Sequence, residues 1–438
     1  MNDPHRLLAA TLGVALLATG CTGSDPKPPV KLLVSGAPEE IAAFRALAQA
    51  YQAKNTGSAV QIIEAGSAGD LITRLSTSIA GGAPPDVFLI NYRAYGQFAG
   101  KDAIEPAQER LDSSEIIEPG DFYPVAMEAF QWRGRQLCMP QNASSLAVYY
   151  NKGLFAKYGV PEPKAGWAWN DLLATASALT RDANGKPVNA GEADAGGRTA
   201  VVHGLSVEPV MIRVAPFAWS NGGEVVDDPQ HPTRFTLEDP ATREALRNFV
   251  DLRQAYGVVP TDQEAEAEDE ESRFVNGRLA MIMSSRRVTT TFRTITGFDW
   301  DVAPLPTYGT PANILHSDAY CITRGAADKD EAWRFVEFAM SPQGQRIIAA
   351  TGRTVPSNVE VSRSPAFLDP AQRPKNGHVW LDAIPVLRRV PTVSTWPEIE
   401  DATSGLLENA MYRGDPIDKV IAELDATTRP LFARAEAP

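Results

Sequence analysis

Basic charge is what this chain most lacks. Its 41 lysines and arginines are outnumbered by 54 aspartates and glutamates, for a formal net charge of -13. Nucleic-acid binders need a basic face to displace counterions from phosphate, so neither DNA nor RNA is an expected partner. Arg286 with Arg287 is the one candidate for a local basic pocket. Histidine is scarce too: His5, His203, His231, His316 and His378 lie far apart and form no helical ligand pair. A zinc-type site would need such clustering, so no metal and no other cofactor is expected. The chain has no Gly-x-x-x-x-Gly-Lys loop, no Gly-x-Ser-x-Gly turn and no Gly-x-Gly-x-x-Gly fingerprint. Phosphate cradles and strained nucleophile turns therefore find no local support. A two-carboxylate glycosidase needs only residues that folding brings together and stays open at this level. The expectation is nonetheless a protein that is not an enzyme.

What is present is ordinary globular material, 44% hydrophobic and 22% charged. At 438 residues the chain exceeds the size at which one core keeps growing, so two lobes are expected. The one long apolar run, Leu7 to Ala18 after Arg6, is too short to span a bilayer and has the length of a signal-peptide core. It ends in Leu17-Ala18-Thr19-Gly20-Cys21, which resembles the lipobox of bacterial lipoproteins. Two features depart from that pattern. Ala18 stands where leucine is usual, and Asp3 offsets the charge of Arg6. The resemblance implies a signal peptide over 1–20, lipidation of Cys21 and anchoring to the outer face of the cell membrane. An ordinary secretory signal is the alternative. Residues 21–29, rich in proline and small polar residues, have the composition of a tether. Cys138 and Cys321 remain, either as buried thiols or as a disulfide that an exported protein can keep.

From Val30 onward, short apolar runs alternate with helical patterns. Val30 to Val34 reads as a strand, Glu39 to Lys54 as a helix, Ala59 to Ile63 as a strand and Leu71 to Ile79 as a helix. Asp86 to Ile90 reads as a strand after Pro84-Pro85. Such alternation predicts a parallel, doubly wound sheet with ligands beyond the carboxyl ends of its strands, at Ser35 to Pro38 and Asn91 to Arg93. Further strands are expected at Gln136 to Pro140, Leu146 to Tyr150, Asp299 to Leu305 and Tyr320 to Thr323. Helices are expected from Trp169 to Thr180, capped by Asn170 or Asp171, from Asp239 to Tyr256, from Lys329 to Met340 and through the tail from Pro397 to Phe432. Residues 181–198 read as a polar surface loop. The acidic run Glu264 to Glu271 reads as a solvated loop or helix start, because no glycine turn shapes it into a calcium site.

Six segments, in order, resemble those of the extracellular solute-binding proteins that serve carbohydrate importers. They are Pro84 to Phe88, the run Tyr149-Tyr150-Asn151-Lys152-Gly153-Leu154-Phe155, Trp167 to Leu172, Trp219 to Gly223, Phe274 to Met281, and Glu331 to Phe335 followed by Ser341-Pro342. One departure is visible: Leu315-His316-Ser317-Asp318 replaces the glycine cluster that many relatives carry. The resemblance implies an α/β fold of the periplasmic-binding-protein-like type II, two doubly wound lobes joined by a hinge. It assigns 30–141 with 317–355 to the N-terminal lobe and 142–316 with 356–438 to the C-terminal lobe. It further implies a monomer that captures a sugar and hands it to the permease of an ABC importer. A glycerol phosphate or phosphodiester solute is the alternative, with Arg286 as its reader.

Strand ends and family position together nominate Asn91, Tyr92, Asn142, Ser144, Trp219, Asn221, Gly222, Ser285, Arg286, Ser317 and Trp396 as ligand contacts. Amide, hydroxyl and flat aromatic groups are what a sugar's hydroxyl edges and apolar faces require. The resemblance also implies a Cys138 to Cys321 disulfide in the first lobe beside the hinge.

Overall fold

The computed structural model describes residues 28–188 and 199–438. The expected signal segment, Cys21, most of the tether and the later part of the polar loop lie outside the described residues.

In the first lobe, β1 (Val30–Ser35) lies between β2 (Val60–Ala65) and β3 (Val87–Asn91), all parallel, with Val30 opposite Val60 and Leu32 opposite Val87. The returning strand Asp318–Thr323 runs antiparallel to β3, placing Cys321 opposite Phe88. Met139–Pro140 and Ile104–Glu105 pair with its other edge. Alternate residues feed two cores, as a strand period of two requires. Leu32, Val34, Leu89 and Tyr320 meet Phe44 and Leu47 of α1 (Pro38–Lys54). Leu33, Phe88, Ile90 and Cys321 belong to the core of Leu75 in α2 (Ala68–Ala80) and Phe98 in α3 (Tyr92–Ala99). Helices thus cover both faces, which is the doubly wound arrangement. The helix α1 forms where Ile41, Phe44, Leu47, Ala48 and Tyr51 make one apolar face, and Pro38 starts it where a missing N–H costs nothing.

The second lobe departs in strand direction. Leu146–Asn151 is central and antiparallel to both Met281–Ser285 and Trp300–Ala303. Its faces are again both covered: Tyr149 and Ile282 join the cluster of Phe292, Trp300 and Trp380, while Val148 and Met283 join the core of Leu172, Phe217 and Phe249. The two-lobed α/β class is as expected, but the three-stranded sheet of the second lobe is antiparallel, and its parallel pairing is confined to the short Asn313–Ile314 with Leu387–Arg388 and to isolated bridges. Residue periodicity identifies strands without giving their direction.

Two local expectations are revised. The helix Trp169–Leu179 is preceded by Ala168 as its cap residue, and Asp171 acts from inside the first turn by accepting from the Ala168 N–H at 2.9 Å. The acidic run forms parts of two short helices, Asp262–Ala267 and Glu270–Val275. Thr261 opens the first through a reciprocal capping box with Glu264. Among the described residues, no group of three His, Cys, Asp or Glu side chains could hold a metal, and no helix is long and apolar enough to cross a membrane.

The chain ends in two helices, Trp396–Arg413 and Ile417–Ala433, separated at Gly414 with its φ of 73°. The first touches both α3 and the second-lobe helix Pro240–Gln254. Close approach to α3 depends on Gly96, where a Cβ would stand 2.8 Å from the Val393 carbonyl oxygen.

Cys138 and Cys321 form a disulfide across 183 residues, enclosing the chain's first excursion into the second lobe. Closing so long a loop constrains the unfolded chain, so replacing both cysteines by serine is expected to cost about 2–4 kcal/mol. Urea unfolding of the variant, beside the wild type with and without reductant, measures that loss. Equal stability in all three would refute a structural role.

Candidate functional site: the cleft between the lobes

Three crossings join the lobes, and hydrogen bonds knit them together. Asn142 pairs with Pro356 and Ser144 with His316 as isolated bridges. Asn142 Nδ2 donates to Ser144 Oγ at 3.0 Å and to the His316 carbonyl at 3.1 Å, while its Oδ1 accepts from the Asp318 N–H at 2.8 Å. Ser144 Oγ also accepts from the Val355 N–H at 3.0 Å, tying in the third crossing.

Above this junction opens a cleft of about 940 Å³. One wall consists of residues at the carboxyl ends of the three parallel strands: Ser35 and Gly36 after β1, Gly66 and Ser67 after β2, Asn91 and Arg93 after β3. Parallel sheets present their loops and helix starts there, so this wall follows from topology. The opposite wall comes from Glu208, Met211 to Arg213, Ser285 and Arg287, the floor from Asn142, Ser144, His316 and Asp318, and one flank from Pro397, Glu400, Thr403 and Ser404.

Four arginines line the cleft, and each faces a carboxylate. Arg93 binds Glu400 at 2.6 Å, Arg213 binds Glu208, Arg287 binds Glu271 at 2.6 Å and Arg353 binds Glu40 at 2.8 Å. Burial pushes the Glu40 carboxyl up to about 7 against the pull of Arg353, with Asp318 adding to the rise. Burial likewise raises Asp318, opposed by Asn91 and Arg93. His316 is held well below the ordinary histidine range by burial and then by the charges of Arg213, Arg93 and Arg287, so its imidazole is neutral. No tryptophan, tyrosine or phenylalanine appears among the described lining residues; the apolar part is aliphatic, with Leu71, Ile72 and Ile212.

Of the residues nominated from sequence, Asn91, Asn142, Ser144 and Ser285 line the cleft. Asn91 also caps α3, accepting from the Arg93 N–H, and donates to Asp318 at 3.1 Å. The others stand elsewhere. Tyr92 is buried in the first-lobe core under α3, and Ser317 donates its hydroxyl to the Asn142 carbonyl within the hinge. Trp219 lies in the second-lobe core beneath the Arg388 guanidinium, 4.6 Å from its ring. Asn221 caps the end of its helix and donates to the Ala241 carbonyl, with Gly222 in the turn that follows at a φ of 84°. Trp396 packs against Phe235 and Phe432 as core. Arg286 is only 1% exposed, its guanidinium 4.2 Å from the Phe367 ring centre and 4.3 Å from that of Trp380. Its neighbour Arg287 is the one that reaches the cleft.

Arg93 lies in the segment Asn91 to Arg93 expected to face a ligand, whereas sequence reasoning missed Glu40, Arg213, His316 and Arg353. For Arg213 a signal existed, since it is the only charge in the buried helix Met211–Ser220, and charges are seldom buried without a partner or a task.

A double helix–strand core on each side of a hinged, polar cleft defines a bilobal solute-binding protein. Residues 37–346 match the bacterial extracellular solute-binding protein family, and the chain belongs to it. It is similar to an ABC substrate-binding protein of Listeria monocytogenes solved with cycloalternan, at 24% identity and a TM-score of 0.81, covering 92% of this chain and 98% of that one. UgpB of Mycobacterium tuberculosis in complex with glycerophosphocholine gives 20% identity and a TM-score of 0.78, with 93% and 99% covered. The maltotriose-binding protein of Pyrococcus abyssi is 25% identical over 367 residues, 78% of this chain and 73% of that protein.

Two predictions follow from the site's placement of charge. Folded Glu40 keeps its proton to about 7, against 4.5 ordinarily, so the native state binds more protons between those values. Its contribution therefore makes stability fall as pH rises from 4.5 to about 7 and level off above. In Glu40→Gln that component vanishes, which thermal unfolding across the range detects as a flatter profile. Separately, Arg286→Ala leaves a gap between two rings and loses a desolvated cation–π contact, at a cost of about 2 kcal/mol or more. Urea unfolding measures this loss, and calorimetry is expected to find ligand affinity in the cleft unchanged.

Proposed function

We propose that this protein captures a neutral sugar or oligosaccharide between its lobes outside the cytoplasm and delivers it, unchanged, to the permease of an ABC importer. The observation that carries the reading is the charge balance of the cleft. Every lining arginine already has its carboxylate, so a phosphate would enter without an uncommitted cation to receive it. A neutral, hydroxyl-rich solute instead finds amides, hydroxyls and charged hydrogen-bonding groups on all sides, with aliphatic patches for its apolar faces. The maltotriose-binding relative and the cycloalternan-bound neighbour support a saccharide; the glycerophosphocholine complex keeps the phosphodiester as the rival that the test must address.

In this reading 30–141 with 317–355 and 142–316 with 356–438 are the moving bodies, and the knitted crossings are the hinge. Residues 1–20 direct export, Cys21 carries the lipid and 21–29 tether the monomer to the membrane beside its permease.

Titration calorimetry with maltose, maltotriose, trehalose and glycerophosphocholine tests the proposal, together with small-angle scattering. Saturable heat with at least one saccharide and a smaller radius of gyration in its presence are expected. Binding of glycerophosphocholine alone would overturn the neutral-sugar reading.

A further inference from the structure

Three buried polar groups on the cleft wall find no hydrogen-bond partner among the described residues: Gln97 Nε2, Arg213 Nε and Nη1, and His316 Nε2. They come from separate parts of the fold. Gln97 belongs to α3 of the first lobe, His316 to a hinge crossing, and Arg213 to the first turn of the second-lobe helix Met211–Ser220. Buried polar groups are nearly always satisfied, so three left open in one cavity point to something that enters it.

Arg213 is the most telling. It is 3% exposed, and Glu208 takes only its Nη2, leaving two nitrogens of the guanidinium uncommitted. Its helix begins at Val210 without a side-chain cap, so free backbone amides lie at the same end. Arginine only donates, whereas a neutral imidazole has one donor and one acceptor nitrogen. His316 is kept neutral by burial and by guanidiniums that include Arg213 itself, which puts the two side chains within electrostatic reach. A hydroxyl, unlike an anion, both accepts and donates. An anion would in addition face Glu208, which already balances the Arg213 charge.

We propose that Arg213, His316 and Gln97 form a hydroxyl-reading subsite: a ligand hydroxyl oxygen accepts from Arg213, and the imidazole of His316 and the amide of Gln97 complete its hydrogen bonds from the hinge and the opposite lobe. This rests on the reading of the cleft as a saccharide site. It makes Arg213 a specificity-determining residue, and it ties ligand recognition to closure because Gln97 and Arg213 come from opposite lobes and His316 from the hinge between them.

The test uses the full chain and the double variant Glu208→Gln/Arg213→Met, which removes the guanidinium together with its ionic partner. Without sugar, the variant is expected to melt at or above the wild-type temperature, because a group held open for a ligand adds nothing to the empty fold. A fall of more than about 4 °C would show that Arg213 is structural and overturn the proposal. With maltose, maltotriose or trehalose, whichever the wild type takes up, affinity is expected to drop about 30-fold or more. A loss under about threefold overturns the subsite while leaving the saccharide reading intact. If the wild type binds none of the three, the saccharide reading fails, and the melting comparison still decides whether Arg213 is held for a ligand.

Discussion

The hydrogen bonds of Asn142 hold the two halves of this molecule in register. One side-chain amide joins the first crossing to the second through His316 and Asp318, and Ser144 extends the network to Val355 in the third. These bonds are buried or partly buried, so breaking one would leave polar groups short of partners, at a cost. The crossings thus form one knot at the base of the two lobes, and the cleft lies directly above it. The same commitment explains Ser317, whose hydroxyl serves the Asn142 carbonyl and has nothing left for a solute.

Charge in the cleft obeys a second constraint. Four arginines gathered in one cavity would repel one another and resist closure, but each is matched by a carboxylate. The pairs leave a surface rich in directed hydrogen bonds and poor in net charge. Excluding water from paired charges is far less costly than from isolated ones. Where burial outweighs the pairing, as at Glu40, the group favours its neutral form, and at His316 burial and the neighbouring guanidiniums act together to the same end. A cavity of this kind suits a solute that carries many hydroxyls and no net charge.

The last helices add a further tie. The helix Trp396–Arg413 supplies Glu400 to Arg93 of the first lobe while packing on Pro240–Gln254 of the second. Its own tryptophan packs against Phe235 and Phe432, and the turns that follow, from Pro397 to Ser404, reach the cleft. The contact at Gly96 shows how closely the segment before it rests on α3.

The amino-acid sequence alone determined β1, α1, β2, α2 and β3, the parallel order of those three strands and the loops at Ser35 and Asn91 that face the cleft, because helical and strand periods are local and the topology of a parallel sheet dictates where its loops gather. Family segments such as Tyr149 to Phe155 carried the two-lobed class and the pairing of Cys138 with Cys321. Tertiary structure decided the antiparallel direction of the second sheet and the direction in which each side chain points. One residue of register separates Arg286, buried between two rings, from Arg287 on the cleft wall, and no local pattern distinguishes them. Trp219 and Trp396 went to the core because large apolar rings gain most from burial, and the vacancies at Arg213 and His316 exist only where distant segments meet.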